Sequence, residues 1–144
     1  MQELPHRYTV TAQATSIGNL DVSAENLPNL EVAPPIGFNG PGDKWSPEDL
    51  LISAVSSCTI LSFRAIARAS KMAWVSLSCE SSGVLERVDG KTKFTQIEIK
   101  ALLVIAEDQS KEKAVKLLEK AEKTCLISNS LSATCHIECD VRFE

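Results

Sequence analysis

The sequence predicts an α+β fold in which a mainly antiparallel sheet surrounds one long buried helix. Two observations predict this class. Segments that alternate between apolar and polar residues, as half-buried strands do, recur along the chain between turn residues. Two helical segments interrupt them, and the first is apolar on almost every side. The resulting order of strands, helix, hairpin, helix and strand is typical of α+β proteins.

The size and composition of the chain predict one globular domain over residues 1–144. Hydrophobic residues make up 44% of the chain and charged residues 24%, which is the balance of a soluble protein. Lys and Arg number 15 against 19 Asp and Glu, and neither sign is gathered into a block. A nucleic acid or an anionic membrane needs clustered Lys and Arg, so neither is an expected partner.

The amino terminus and the cysteine count predict a cytoplasmic protein. The first residues lack the basic and then apolar pattern of a secretory signal, and no uninterrupted apolar stretch is long enough to span a bilayer. The five cysteines are an odd number, which argues against a secreted disulfide framework. A functional cysteine in this chain is therefore expected to be reactive rather than structural.

The amino-terminal third predicts short strands and a loop. Residues 8–22 alternate loosely in apolar character around a turn signal at residues 16–19, which favours a hairpin. A short strand is expected at Leu30–Val32. Residues 34–42 are rich in Pro and Gly and can form neither a helix nor a central strand.

A long helix is predicted over residues 47–70. Ser46 can cap it, Pro47 suits its first position, and the acids Glu48 and Asp49 favour the positive end of the helix dipole. The helix is apolar almost all round as far as Phe63, so we expect it to form the centre of the core. Because one small sheet covers only one side of such a helix, a second subunit is expected on the other side.

The remaining elements are a hairpin, a helix and a strand. Asp89-Gly90 is a strong hairpin turn between strands predicted at residues 73–88 and 91–104. Residues 108–124 have the apolar stripe of an amphipathic helix. Residues 135–143 alternate cleanly and predict a last strand, with Cys135 and Cys139 on one face.

Two cysteines are candidate reactive groups. Cys58 lies in the apolar helix, where it is either a small buried hydrophobe or, if nearby donors stabilise its thiolate, a nucleophile. Cys125 follows the second helix, whose negative dipole end disfavours a thiolate, so it suits a second, resolving thiol better. If the fold brings the two together, they suit peroxide chemistry, but the sequence alone leaves open which cysteines pair.

Geometry limits two other arrangements of candidate residues. Glu48 and Cys58 are about 15 Å apart along one helix, so a site that uses both needs two chains. A metal site at Cys135, His136 and Cys139 is rejected, because in a strand His136 points away from the two cysteines and the spacing is not that of a zinc knuckle. Core packing accounts for these cysteines.

Several motifs resemble the osmotically inducible protein C and organic hydroperoxide resistance (OsmC/Ohr) family. They are WSPEDLL at residues 45–51, Ser57-Cys58, and CLISNSL at residues 125–131, together with the Gly-Phe-Asn loop at residues 37–39. The resemblance extends over essentially the whole chain. It implies an intertwined α+β homodimer with two active sites at the subunit interface. By this resemblance Cys58 is the peroxidatic cysteine, Cys125 is the resolving cysteine, and Glu48, from the partner subunit, is the acid that holds a catalytic arginine.

The sequence departs from the family at that arginine. The family usually supplies it from the turn after the first strand or from the loop after the Gly-Phe-Asn segment. Residues 17–20 and 40–44, which occupy these places here, contain no arginine. Lys44 is the candidate to replace it, although its ammonium group cannot form the planar bidentate contact of a guanidinium.

The expected function is reduction of organic hydroperoxides to alcohols by a thiol-dependent peroxidase. Cys58 would form a sulfenic acid, Cys125 would trap it as a disulfide, and an external dithiol of lipoyl or other type would reduce the pair. No bound cofactor or metal is expected. Ile36, Phe38 and Trp45 are candidates for an apolar substrate pocket. The alternative is a protein of this fold without peroxidase activity that binds a small apolar ligand or senses redox state, which the missing arginine supports.

Overall fold

A computed structural model describes all 144 residues, in two compact units, Met1–Leu50 and Leu51–Glu144. Each unit is described by itself. The boundary falls within the first helix, whose first residues belong to the first unit. A single domain over residues 1–144 stays a prediction.

The first unit contains a three-stranded antiparallel sheet in the order β1 (Thr11–Gln13), β2 (Leu20–Ser23) and β3 (Leu30–Val32). The predicted hairpin is confirmed, and Gly18 takes a φ of 89° in its turn, where a side chain would be strained. The third strand has the predicted bounds. The first strand is shorter than its pattern suggested and all three of its residues are exposed.

The Pro- and Gly-rich segment is a loop with one turn of 3-10 helix at Ile36–Phe38, a detail that the sequence did not predict. The turn ends at Asn39, whose φ is 62°. A Cβ on Gly40 would lie 1.7 Å from the carbonyl oxygen of Pro34, so only glycine fits there. The loop is closed by a hydrogen bond of 2.9 Å from the amide of Ala33 to the carbonyl of Trp45.

The first helix, α1 (Pro47–Ala69), begins at the predicted residue. The Ser46 hydroxyl accepts a hydrogen bond of 3.0 Å from the Asp49 amide, and the Asp49 carboxylate accepts one of 3.2 Å from the Ser46 amide. This reciprocal cap satisfies amide groups that a helix start leaves without partners. The cap therefore explains why α1 begins here.

The second unit is built on a three-stranded sheet in the order β4 (Trp74–Val88), β5 (Lys91–Ile105) and β6 (Thr134–Phe143). The predicted hairpin between β4 and β5 is confirmed, with φ values of 51° at Asp89 and 78° at Gly90. β6 pairs with β5 in parallel. The sheet is therefore mixed, because the chain returns to it through the helices α2 (Lys111–Thr124) and α3 (Leu126–Asn129).

α2 begins three residues later than its pattern suggested. The Ser110 side chain accepts a hydrogen bond of 3.1 Å from the Lys113 amide and caps the helix. The preceding residues form a turn, in which the amide of Gln109 bonds the carbonyl of Ala106 at 3.0 Å. A serine cap thus overrides the helical pattern at Asp108.

The core of the second unit lies on one face of β5, where Ile97, Ile99, Leu103 and Ile105 are buried. Residues of α1 and α2 pack on this face. The opposite face of β5 is exposed at Gln96, Glu98 and Lys100 and half-buried further along the strand.

Within one chain α1 is buried on one side only, which agrees with the prediction that a single sheet leaves its other side uncovered. Only one stripe of the helix is buried, namely Val55, Thr59, Phe63 and Ala67. These positions recur at every fourth residue, which places them on one face. Leu61 on another face is 57% exposed. The apolar surface of α1 is thus larger than one chain covers.

Serines interrupt the apolar run of α1, as expected, but the helix as a whole is long and apolar. α1 has 23 residues and a mean hydropathy of 1.7 in its most apolar window, so by length and composition it can cross a membrane. Core helices of soluble proteins meet the same criteria. The buried stripe of α1 against β5 is the packing of such a core helix.

Candidate active site

The structure brings Cys58 and Cys125 together within the second unit. Cys58 is half-buried on α1, and its sulfur lies 3.9 Å from the Ser62 hydroxyl one helical turn away. The Cys125 thiol and the backbone amides of Leu126 and Ile127 donate hydrogen bonds to the Cys58 sulfur. The donors come from the segment that joins α2 to α3, so the fold of this segment determines the environment of Cys58.

These hydrogen bonds make Cys58 the thiol that ionises most readily. Burial raises the pKa of Cys58, but the hydrogen bonds from Cys125, Ile127, Ser62 and Leu126 together lower the pKa below the ordinary cysteine value. A thiolate rather than a thiol is the reacting form of cysteine. The arrangement therefore favours nucleophilic chemistry at Cys58.

Cys125 is fully buried at the junction of the two helices. Its backbone is extended, with φ −62° and ψ 113°, which ends α2. Its sulfur accepts a hydrogen bond of 3.5 Å from the Ser128 amide and so caps α3. The sequence predicted only the first role, at a helix C-terminus. Burial and the neighbouring Cys58 raise the pKa of Cys125, which suits a thiol that reacts second.

The other three cysteines are less acidic. Burial raises the pKa of Cys79 and of Cys139 to about 11 in each case. Burial also raises the pKa of Cys135. All five cysteines are free thiols in the structure. Alternation along β6 leaves His136 exposed while Cys135 and Cys139 are half-buried, as predicted.

Three site residues were missed by sequence reasoning, namely the amide donors at Leu126 and Ile127 and the hydroxyl of Ser128. Ser128 is 7% exposed, and its hydroxyl has no hydrogen-bond partner. It faces the thiols of Cys125 and Cys135 and lowers the pKa of each. A serine three residues after a helix-ending cysteine was the available signal, because an N-cap sulfur accepts from the amide at that position.

Glu48 lies in the first unit, at the start of α1, beside an apolar cleft of about 340 Å³. Its Oε2 atom is buried and has no hydrogen-bond partner. An unpaired buried carboxylate oxygen is costly, so this atom is suited to a donor that the single chain does not supply. The residues that line the cleft are Gly18, Leu20, Ala33, Pro34, Pro35, Phe38, Pro47 and Glu48.

The other predicted residues of the first unit are placed differently. Of the three predicted pocket residues, Phe38 lines the cleft, whereas Ile36 and Trp45 do not. Ile36 and Trp45 are 73% and 51% exposed. The Lys44 ammonium group lies 3.1 Å from the Glu31 carboxylate, which is therefore its partner in this structure.

The chain is similar to known proteins in both sequence and structure. The chain is similar to YmaD of Bacillus subtilis, an uncharacterized protein, with 27% identity over 123 residues that cover 82% of each chain. It is similar in structure to an OsmC-like protein of unknown function from Vibrio cholerae, with a TM-score of 0.86 and 17% identity over 94% of this chain and 100% of that one.

An organic hydroperoxide resistance protein from Elizabethkingia anophelis is a further structural relative, with a TM-score of 0.79 and 20% identity over 99% of this chain and 100% of the other. Both structural likenesses confirm the predicted α+β fold. The profile of the family described as OsmC-like protein matches residues 40–140, which include both cysteine motifs. The chain therefore belongs to the OsmC-like protein family.

Proposed function

We propose that this protein is a thiol-dependent peroxidase that reduces organic hydroperoxides to alcohols. One observation carries the proposal: Cys58 and Cys125 are hydrogen-bonded, and the pKa of Cys58 is lowered while that of Cys125 is raised. A peroxidatic thiol must be ionised to attack, whereas a resolving thiol reacts only after the first step is complete.

The reaction needs no bound cofactor. The Cys58 thiolate attacks the distal oxygen of the hydroperoxide, the O–O bond breaks, and the alkoxide takes a proton and leaves as an alcohol. Cys58 is then a sulfenic acid. The Cys125 sulfur attacks the Cys58 sulfur, a disulfide forms, and water leaves. An external dithiol, lipoyl or other, reduces the disulfide and becomes a disulfide itself.

Two observations support an organic substrate. The similar protein from Elizabethkingia anophelis is named for organic hydroperoxide resistance. In this chain the first unit offers exposed apolar side chains at Ile36, Phe38 and Trp45, and Phe38 also lines the cleft beside Glu48. Such a surface favours fatty or aromatic hydroperoxides over hydrogen peroxide.

We further propose a cytoplasmic homodimer in which Glu48 serves the thiols of the partner chain. The apolar surface of α1 that one chain leaves uncovered supports the second subunit. The unpaired Oε2 atom of Glu48 supports a role that the single chain does not fulfil. Lys44 is proposed to supply the positive charge once it leaves Glu31.

The test is to mix reduced protein with one equivalent of cumene hydroperoxide, quench with an alkylating agent, and map the cysteines by mass spectrometry. A rapid disulfide between Cys58 and Cys125, with Cys79, Cys135 and Cys139 alkylated at early times, is expected. Five alkylated thiols after long exposure would reject the peroxidase.

The second candidate is a protein of this fold that binds an apolar ligand or senses redox state without turnover. The ion pair of Lys44 with Glu31 favours it, because that pair leaves Glu48 without a cation in the single chain. Saturable binding of an apolar ligand, with no disulfide formed under peroxide, would favour this candidate over the peroxidase.

A further inference from the structure

A third thiol, that of Cys135, lies near the pair, because Cys135 and Ile127 pack against the same buried cluster of Val55, Ile97 and Ile99. Cys135 is the second residue of β6 and pairs in register with Ile97 at the buried face of β5. It is half-buried, and its thiol makes a weak contact of 3.9 Å with the carbonyl of Ala133. The peroxidase scheme gives this thiol no role.

Ser128 connects this thiol to the resolving cysteine. Its amide donates to the Cys125 sulfur at 3.5 Å, and its hydroxyl faces both Cys125 and Cys135. The residue is 7% exposed and its hydroxyl has no hydrogen-bond partner. A buried donor without a partner is costly, and an anion formed at either sulfur would satisfy it. Cys125 therefore has a thiol on each side, Cys58 and Cys135. The unpaired Ser128 hydroxyl faces Cys125 and Cys135.

We propose that Cys135 is a second resolving thiol, which takes over the disulfide between Cys58 and Cys125 by exchange and returns Cys58 to its reduced form. The step rests on the peroxidase function proposed above. In the reaction, the exchange follows formation of the first disulfide and precedes the action of the external dithiol.

The exchange is balanced within the protein. Cys135 loses its proton and attacks the Cys125 sulfur, a bond forms between Cys135 and Cys125, and the bond between Cys125 and Cys58 breaks. Cys58 leaves as a thiolate, so the number of disulfides and of electrons is unchanged. No oxidant or reductant enters. The Ser128 hydroxyl is positioned to donate a hydrogen bond to the Cys135 thiolate during the attack.

The pKa values of Cys58 and Cys135 favour the exchange that releases Cys58. Burial raises the pKa of Cys135, whereas its hydrogen bonds lower that of Cys58. The sulfur with the lower pKa is the better leaving group, so exchange releases Cys58. Because only a small fraction of Cys135 is ionised at neutral pH, the exchange is slower than formation of the first disulfide. The regenerated Cys58 thiolate can thereby react with a second hydroperoxide before the chain meets a dithiol.

The experiment uses reduced protein and two equivalents of cumene hydroperoxide without any dithiol. Samples are alkylated at successive times, and the disulfides are mapped by mass spectrometry with dimedone present to trap a sulfenic acid. We expect the disulfide between Cys58 and Cys125 to appear first and to be replaced by one between Cys125 and Cys135. Two equivalents of peroxide are then consumed, and Cys58 is labelled by dimedone.

Two variants make the result specific. Cys135→Ser should consume one equivalent and keep the first disulfide. Cys139→Ser is the matched control, because Cys139 lies on the same face of β6 but its electrostatic neighbours are Glu119 and Cys79. It should behave like the unchanged protein. A third variant, Cys58→Ser, should form the disulfide between Cys125 and Cys135 when oxidised with diamide.

The outcomes separate the two proposals. If the unchanged protein stops after one equivalent and keeps only the disulfide between Cys58 and Cys125, the exchange is rejected and the peroxidase stands. If peroxide produces no disulfide at all, the peroxidase itself is rejected, and the exchange with it. Failure of Cys58→Ser to form the disulfide between Cys125 and Cys135 would also overturn the exchange, because the two sulfurs then cannot meet.

Discussion

The Cys125 thiol donates a hydrogen bond to the Cys58 sulfur, and this contact moves the acidities of the two residues in opposite directions. The donor becomes harder to ionise, and the acceptor becomes easier to ionise. The two thiols are therefore chemically distinct before any peroxide arrives. Their difference depends on the junction of α2 and α3, which also places the amides of Leu126 and Ile127 at Cys58.

Substitution of Cys58 and substitution of Cys125 should stop the reaction at different steps. Cys58→Ser should abolish turnover, because no other thiol in the chain has a lowered pKa. Cys125→Ser should consume one equivalent of hydroperoxide and then stall with Cys58 as a sulfenic or sulfinic acid. Peroxide consumption with and without a dithiol, followed by mass spectrometry, measures both. Multiple turnovers by Cys58→Ser would reject the assignment.

The alkylation rate of each cysteine should depend on pH according to its acidity. Iodoacetamide reacts with thiolates, so the rate rises with pH and levels off above the pKa. Cys58 should level off below the pH of an ordinary cysteine, about 8.5. Cys79 and Cys139, with pKa values of about 11, should react little at pH 8 in the folded protein.

The variant Cys125→Ala tests which contact lowers the pKa of Cys58. Cys125→Ala removes the first of the hydrogen bonds that lower the pKa of Cys58, so the Cys58 profile should move to higher pH. Cys139→Ala, the matched control, should leave the Cys58 profile in place. Equal profiles for the protein and Cys125→Ala would show that the thiol contact does not determine the acidity of Cys58.

Much of the fold follows from local sequence. Turn chemistry at Asp89-Gly90 and the cap at Ser46 gave the hairpin and the start of α1 within a residue. The parallel pairing of β5 with β6 was missed because strand direction depends on the route of the chain through α2 and α3, and no periodicity within β6 reports it.

The candidate site was predictable only in part. The motifs around Cys58 and Cys125 marked both thiols as candidates. The amide donors belong to α3, which has four residues and is too short to show a helical period. The role of the Ser128 hydroxyl depends on its position near Cys135 on β6, which the spacing of Cys125 and Ser128 does not indicate.

Phe63 tests the packing of α1 against the sheet. It is fully buried in the buried stripe of α1, and its ring meets Trp74 edge to face at 5.5 Å. Phe63→Ala should lower the free energy of unfolding by about 3–5 kcal/mol. Urea unfolding measures the change. Ala65→Gly, at an exposed position two residues along the same helix, should cost only about 1 kcal/mol, and equal losses would contradict the assigned core.

Lys44→Arg tests the replacement of the family arginine. A guanidinium can contact a carboxylate through two parallel hydrogen bonds, which the Lys44 ammonium group cannot do. The variant should therefore speed the reaction of Cys58 with cumene hydroperoxide in stopped-flow measurements. Glu31→Gln should act in the same direction, because it removes the present partner of Lys44. Lys91→Arg in the hairpin is the control and should leave the rate unchanged. If Lys44→Arg and Glu31→Gln also leave the rate unchanged, Lys44 is not part of the site.

The exposed face of α1 should hold the proposed homodimer together. Leu61 is 57% exposed and lies outside the buried stripe, so Leu61→Glu should leave the chain folded while placing a charge in a surface that a partner would bury. We expect the unchanged protein to sediment as a dimer and Leu61→Glu as a monomer, with equal circular dichroism.

The same variant links assembly to chemistry. If Glu48 acts on the thiols of the partner chain, separation of the subunits should slow peroxide reduction even though Cys58 and Cys125 remain adjacent within each chain. Leu61→Ala, which shortens the side chain without adding charge, should weaken the dimer less and retain more activity. A monomeric Leu61→Glu with full activity would show that one chain contains the whole site and that Glu48 does not act across the interface.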